Sequence, residues 1–247
     1  MTGPELILLA VSGIFAGAIN AAVGSGTLIT YPALLSIGLS PVTANATNSL
    51  GIVPGAISGA WSYRQELVGR RKELLRWSVA TAVGAVVGAG LVVILPAKVF
   101  AFVVPWLMVS ACLVVAVQPL IVKSLERRRT SQGATRVAIG AVGLYGGYFG
   151  AGQGIASLAV LMSFAGNTIH RANAAKNVLA AVTNGTAAGV FLLAGRVVWI
   201  PALILGVTTL VGGFGGGGIA KRLPSAWLRG LVILIGSYAV YVSIRGL

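Results

Sequence analysis

Hydrophobic positions run through residues 5–23 almost unbroken, stop at Gly24-Ser25-Gly26, and resume over 27–38 before Gly38 and Pro41. A helix over 27–38 rises only about 18 Å, short of the ~30 Å hydrocarbon core of a bilayer. The pattern therefore predicts a broken or re-entrant helical hairpin over 5–38, with the glycine pair as its tip. Longer apolar runs follow at 41–63, 77–95 and 99–122, each of span length. The first of these opens on polar side chains (Asn45, Thr47, Asn48, Ser49) and carries Gly55 and Gly59 four apart, a spacing that suits close helix packing. After a basic stretch at 123–136 the order returns, with a hairpin over 137–166 tipped at Gly152-Gln153-Gly154 and spans near 171–194, 198–220 and 225–244. The expected fold class is an all-α polytopic membrane protein, an inverted repeat of one hairpin plus three transmembrane helices.

The return is a duplication, because a single shift of 128 positions aligns much more than the glycine pairs. Asn45 in Ala-Asn-Ala falls on Asn173, Gly84, Gly88 and Gly90 fall on Gly212, Gly216 and Gly218, and Leu95-Pro96 falls on Leu223-Pro224. Isolated glycine matches are cheap in such a chain, but a run of different motifs in one register is not. The expected division is 1–122 for the first repeat, 123–136 for a basic cytoplasmic linker and 137–247 for the second repeat, all within one integral membrane unit.

Composition places the chain in a bilayer and gives it a direction. It is 57% hydrophobic and 9% charged, with mean hydropathy +0.94, which leaves too little polar surface to coat a soluble globule. With hairpins counted as non-crossing, each half crosses three times, so the second half enters from the opposite side and the repeats are inverted. Of the 18 Lys and Arg residues, only Lys98, Arg196 and Arg245 then fall outside, and the rest face the cytoplasm. Both termini are expected to be extracytoplasmic, in the cell membrane. Arg127-Arg128-Arg129 reads as an orientation signal that also meets anionic lipid head groups, so nucleic acid is not an expected partner. Cys112 is the only cysteine, which excludes an intrachain disulfide and a thiolate metal cluster. Glu5 precedes the first apolar run without a basic flank, so that segment is expected to be retained rather than cleaved as a signal peptide.

Candidate chemistry concentrates at the two tips. Each is followed by a helix, so two helix N-termini with free N–H groups and positive dipole ends are expected to converge, as an anion site requires. Glycine at 24, 26, 152 and 154 lets the backbone approach a ligand, and Ser25 and Gln153 add donors. The plainer alternative is that these glycines only let helices bend or pack. After each tip, Asn45 aligns with Asn173, Asn48 with Lys176, and Ser49 with Asn177. Lys176 either reaches toward the centre or snorkels back to the head groups. Asn184 reads as a helix-to-helix hydrogen bonder, and His170 as a solvated loop residue. None of the four acidic residues, all Glu, falls within an expected span, so the core offers no carboxylate for a cation or a proton relay. With no Asp and one His there is no hydrolytic triad and no metal motif, so no enzyme, metal or cofactor is expected. Gly213, Gly215 and Gly218 match a dinucleotide fingerprint only in spacing and read as packing glycines.

The stretches GAINAAVGSGTLITYPALLSIGLSPVTANATNSLG, GGYFGAGQGIASLAVLM and RANAAKNVLAAVTNGTAAGVF resemble the TauE/SafE family of membrane permeases. The resemblance covers most of the chain, with Ala-Lys-Asn-Val-Leu-Ala at 175–180 the most family-like piece. It implies a secondary permease that exports a small anion, sulfite or an organosulfonate. The alternatives are an anion-selective channel or an uptake permease for the same substrate class. By resemblance the site residues are those of the two tips together with Asn45, Asn48, Asn173, Lys176 and Asn177. Family members usually carry more glycine at both tips, and Ser25 and Gln153 depart from that pattern. A homodimer is left open by the sequence.

Overall fold

The computed structural model describes residues 1–125, 132–163, 168–219, 230, 233–237 and 240. Every regular element among them is helical: α1 Gly3–Ala22, α2 Thr27–Ser36, α3 Pro41–Ser62, a 3-10 turn Arg64–Leu67, α4 Arg71–Ile94, α5 Ala97–Leu125, α6 Gln132–Tyr148, α7 Gln153–Ser163, α8 Ile169–Leu193 and α9 Trp199–Ile219. Local signals set the ends. Ser40 caps α3 by accepting from the Thr43 N–H at 3.4 Å, and Thr168 caps α8 by accepting from the Arg171 N–H at 3.5 Å. These caps, and the starts of α3 and α8 and of α4 and α9, recur at the 128-residue interval of the sequence.

The repeats are interleaved. α1 packs most extensively on α9 and α4 on α6, so the first helix of each half lies against the fourth helix of the other. Small residues allow this approach. A Cβ on Gly143 would stand 2.9 Å from Thr81 Cα, and one on Gly88 would stand 2.7 Å from the Tyr148 nitrogen. In lipid, where apolar surface gains nothing by leaving its solvent, such close backbone packing supplies much of the association.

Contacts along α3 and α9 give the handedness of the repeat. Gly51 faces Leu205, Gly55 faces Thr209 and Gly213 faces Ser58, so the two helices run in the same direction. α3 also packs on α8, in the opposite sense: a Cβ on Gly59, late in α3, would stand 3.3 Å from Asn177, early in α8, while Thr47 Oγ1, early in α3, accepts from the Val198 N–H just beyond the end of α8 at 3.1 Å. Hence α8 runs opposite to α3, its own equivalent, and the repeat is inverted.

Large apolar side chains face outward as well as inward, and polar ones share the interior with a core that includes Leu28, Phe100, Met108 and Phe191. Ile7, Val83, Phe102, Trp106 and Leu203 are exposed, whereas Thr30, Asn45, Thr47, Asn48, Asn177 and Thr183 are buried. Three described helical stretches are long and apolar enough to cross a bilayer: Gly3–Ala22, Arg71–Ile94 and Ala97–Gln118. α3 and α8, with 22 and 25 residues, have the length but carry the interior's polar side chains. The outside is solvated by lipid and the inside holds the hydrogen bonds.

The first hairpin has the unequal arms that the apolar pattern gives: α1 has 20 residues and is of span length, while α2 has 10 and rises about half the hydrocarbon core. The long arm is stabilised along α9, where Gly13 and Gly17 admit Thr208 and Thr209. One boundary differs from the sequence reading: helix enters the expected linker from both sides, since α5 reaches Leu125 and α6 opens at Gln132. The Arg127–Arg129 cluster, the turn with Lys221, Arg222 and Pro224, and most of the last expected span lie outside the described residues.

Candidate functional site

The two tips meet. Gly24 and Gly152, the leading glycines of the pairs, both take left-handed backbone with φ of 88° and 74°, a conformation that costs any other residue about 1 kcal/mol or more. The Gly154 N–H donates to the Gly24 carbonyl at 3.2 Å, joining the halves main chain to main chain. A Cβ on Gly24 would stand 2.6 Å from Gly154 Cα, so neither position accommodates a side chain.

The converging helix ends are not equivalent. In the first turn of α7 the N–H groups are taken: Gln153 by the Gly150 carbonyl, Gly154 by Gly24, and Ile155 and Ala156 by Gly152. At α2 the N–H groups of Ser25, Gly26 and Thr27 have no hydrogen-bond partner among the described residues. The Ser25 hydroxyl beside them is 1% exposed and is also unpartnered among the described residues. Such buried donors are costly unless something accepts from them.

Each remaining predicted residue has a definite place. Gln153 turns from the junction and donates from Nε2 to Thr183 Oγ1 at 2.8 Å. Asn48 ties α3 to the start of α2, accepting from Thr30 Oγ1 and donating to Thr27 Oγ1 at 3.3 Å. Asn45 and Asn173 make equivalent bonds across the halves. Asn45 Nδ2 donates at 3.0 Å to the carbonyl of Tyr148, the last residue of α6, and Asn173 Nδ2 donates at 3.3 Å to Ala21 near the end of α1. Asn177 Nδ2 donates to the same Ala21 carbonyl at 3.3 Å.

Lys176 lies in the second turn of α8 and does not snorkel. It is 1% exposed, and its ammonium donates to the carbonyls of Asn20 at 3.2 Å and Ala21 at 3.4 Å. These carbonyls form the C-terminal, negative end of α1, a natural partner for a cation. Lys176 forms no ion pair among the described residues, where Glu5 and Glu73 sit in the first turns of α1 and α4 and Glu66 sits in the 3-10 turn. Sequence reading missed Thr27, Thr30 and Thr183, whose only signal was polarity within apolar runs. His170 is exposed in the first turn of α8 rather than in a loop, and Asn184 donates to Ala180 of its own helix at 2.8 Å rather than across helices.

Apolar cavities of about 280 and 310 Å³ open between α5 and Ile233, Ser237 and Val240, and between α3 and α9, and neither is lined by a residue of the tips. The polar junction lies apart from both.

Residues 9–242 match the family described as sulfite exporter TauE/SafE. The chain belongs to the TauE/SafE family. It is 29% identical over 231 residues to the "Probable membrane transporter protein ORF9" of Sinorhizobium sp, covering 93% of this chain and 88% of that one. It is 31% identical over 227 residues to the "Probable membrane transporter protein YfcA" of Escherichia coli (strain K12), covering 90% and 82%. No solved structure matches the chain. The TauE/SafE chain is a multi-pass membrane transporter, with its tip junction at the meeting of the repeats.

Proposed function

We propose that this transporter is a secondary permease of the cell membrane that exports a small anion, sulfite or an organosulfonate, and binds it at the first turn of α2. The observation that carries the reading is the cluster of unpartnered donors there: three consecutive N–H groups and the buried Ser25 hydroxyl. Convergent N–H groups at a helix N-terminus recognise an oxyanion such as sulfite or a sulfonate head, and the helix dipole adds to them. Gly24 and Gly154 let the two tips meet main chain against main chain beside the donors, and Gly26 lets the start of α2 lie against Ala16 of α1. Asn48, through Thr27 and Thr30, fixes the helix that presents the donors. Asn45, Asn173 and Asn177 hold the helix ends that frame it, and Gln153 with Gly152 sets the opposing tip.

The family and its transporter relatives support the class of activity, and the absence of a carboxylate at the junction among the described residues supports an anionic rather than a cationic cargo. Both termini are placed outside, following the distribution of basic residues. The test is flux of sulfite, sulfoacetate, taurine, thiosulfate, sulfate and chloride through purified protein in liposomes. Saturable flux of sulfite or an organosulfonate, weakened about tenfold by Ser25→Ala, is expected, since a hydrogen bond to a charged group contributes about 1.5–3 kcal/mol. Flux of none of these anions, or an unaltered Ser25→Ala variant, would contradict it.

A further inference from the structure

The inverted repeat predicts that the two tips should be electrostatically alike, and two independent features break that likeness on the same side. The first is the set of open N–H groups at α2, where α7 has its own satisfied. The second is Lys176, whose counterpart 128 positions earlier is the neutral Asn48. The C-terminal end of α6 receives the amide of Asn45, whereas the end of α1 receives the amides of Asn173 and Asn177 and also the Lys176 ammonium. The cation thus sits at the tip with the open donors.

We propose that Lys176 is a positioning residue for the anion, acting through the end of α1 rather than by touching the ligand. The inference rests on the anion site proposed above. α1 ends at Ala22 and α2 begins at Thr27, so the negative end of one helix lies a few residues from the positive end of the next. Each end carries about half an elementary charge, and left alone the two nearly cancel at Ser25. A buried ammonium on the Asn20 and Ala21 carbonyls more than offsets the α1 end. Its stem passes the tip itself, with Cδ 3.3 Å from where a Cβ on Gly24 would stand. The junction is left with a net positive field that no side-chain carboxylate among the described residues neutralises. Because the ammonium's hydrogen bonds go to main-chain carbonyls, it can hold this field without being consumed in an ion pair.

The role is electrostatic, so its signature is dependence on ligand charge. Two probes share a tetrahedral sulfur–oxygen head: methanesulfonate, with one negative charge, and sulfate, with two. Binding of each is measured to the purified full-length protein and to Lys176→Met, Lys176→Arg and Asn173→Leu variants in lipid nanodiscs. Lys176→Met weakens methanesulfonate about tenfold and sulfate about a hundredfold, because the Coulomb energy doubles with the charge. Lys176→Arg restores most of both. Asn173→Leu, which removes a neutral donor from the same Ala21 carbonyl, weakens both anions by the same small factor. In a structure with sulfate bound, Lys176 Nζ stays within hydrogen-bond distance of the Asn20 and Ala21 carbonyls. Equal losses for the two anions in Lys176→Met, or an ammonium that has moved onto the sulfate, would overturn the proposal and leave the site standing. Wild-type protein that binds neither probe would overturn the site, and this proposal with it.

Discussion

At Gly24 the backbone conformation and the neighbour make separate demands, and they can be tested apart. Gly24 and Gly38 both have positive φ, 88° and 87°, but a Cβ on Gly24 meets Gly154 whereas one on Gly38 meets nothing within 4 Å. Gly38→Ala therefore costs only the strain of the left-handed region, about 1 kcal/mol, and keeps transport. Gly24→Ala and Gly154→Ala force the tips apart and abolish transport while the protein still inserts, which flux and membrane-fraction assays on the three variants distinguish. The glycines were legible in the sequence because a main-chain requirement leaves glycine as its mark. The partner of Lys176 was not legible, because it is the carbonyl end of α1 and no residue type announces a carbonyl. The partner of Gln153 was hidden for a related reason: its amide donates to Thr183, a polar residue 30 positions on.

Between elements, the pairing of α1 with α9 and of α4 with α6 makes each repeat depend on the other. Residues 143 and 189 are both glycine within helices, but Gly143 lies against Thr81 of α4 and a Cβ on Gly189 meets nothing within 4 Å. Gly143→Leu should destabilise the protein by about 3 kcal/mol or more, as overpacking against a backbone does, and lower its thermal unfolding temperature in detergent. Gly189→Leu should change stability by less than about 0.5 kcal/mol. Equal shifts would contradict the interleaved packing. Element order and the 128-residue interval could be read from the sequence because they are properties of the chain taken alone. Which helix lies on which could not, because hydrophobic periodicity reports that a face is covered and not by what. The contact of α1 with α9 was hidden for the same reason, although the length of α1 follows the apolar run that the sequence shows from residue 5 to 23.

On the scale of the whole molecule, the proposed orientation and energetics both rest on the distribution of charge. In a variant lacking Cys112, cysteines introduced at Lys98 and Arg71 should label from opposite faces of intact cells, with Lys98 reached from outside. Labelling of both from one face would contradict the inverted crossing pattern. Transport follows from the same distribution. A carrier that moves an anion with no bound cation moves net charge, worth about 2.3 kcal/mol per charge at 100 mV, so an inside-negative potential expels a monovalent anion against roughly a 50-fold gradient. The most direct measurement of the account is efflux of radiolabelled sulfite from proteoliposomes under a potential imposed with valinomycin and potassium. An inside-negative potential should accelerate efflux and the opposite polarity should slow it. Efflux indifferent to the potential but dependent on a proton or sodium gradient would contradict uncoupled, electrogenic anion export.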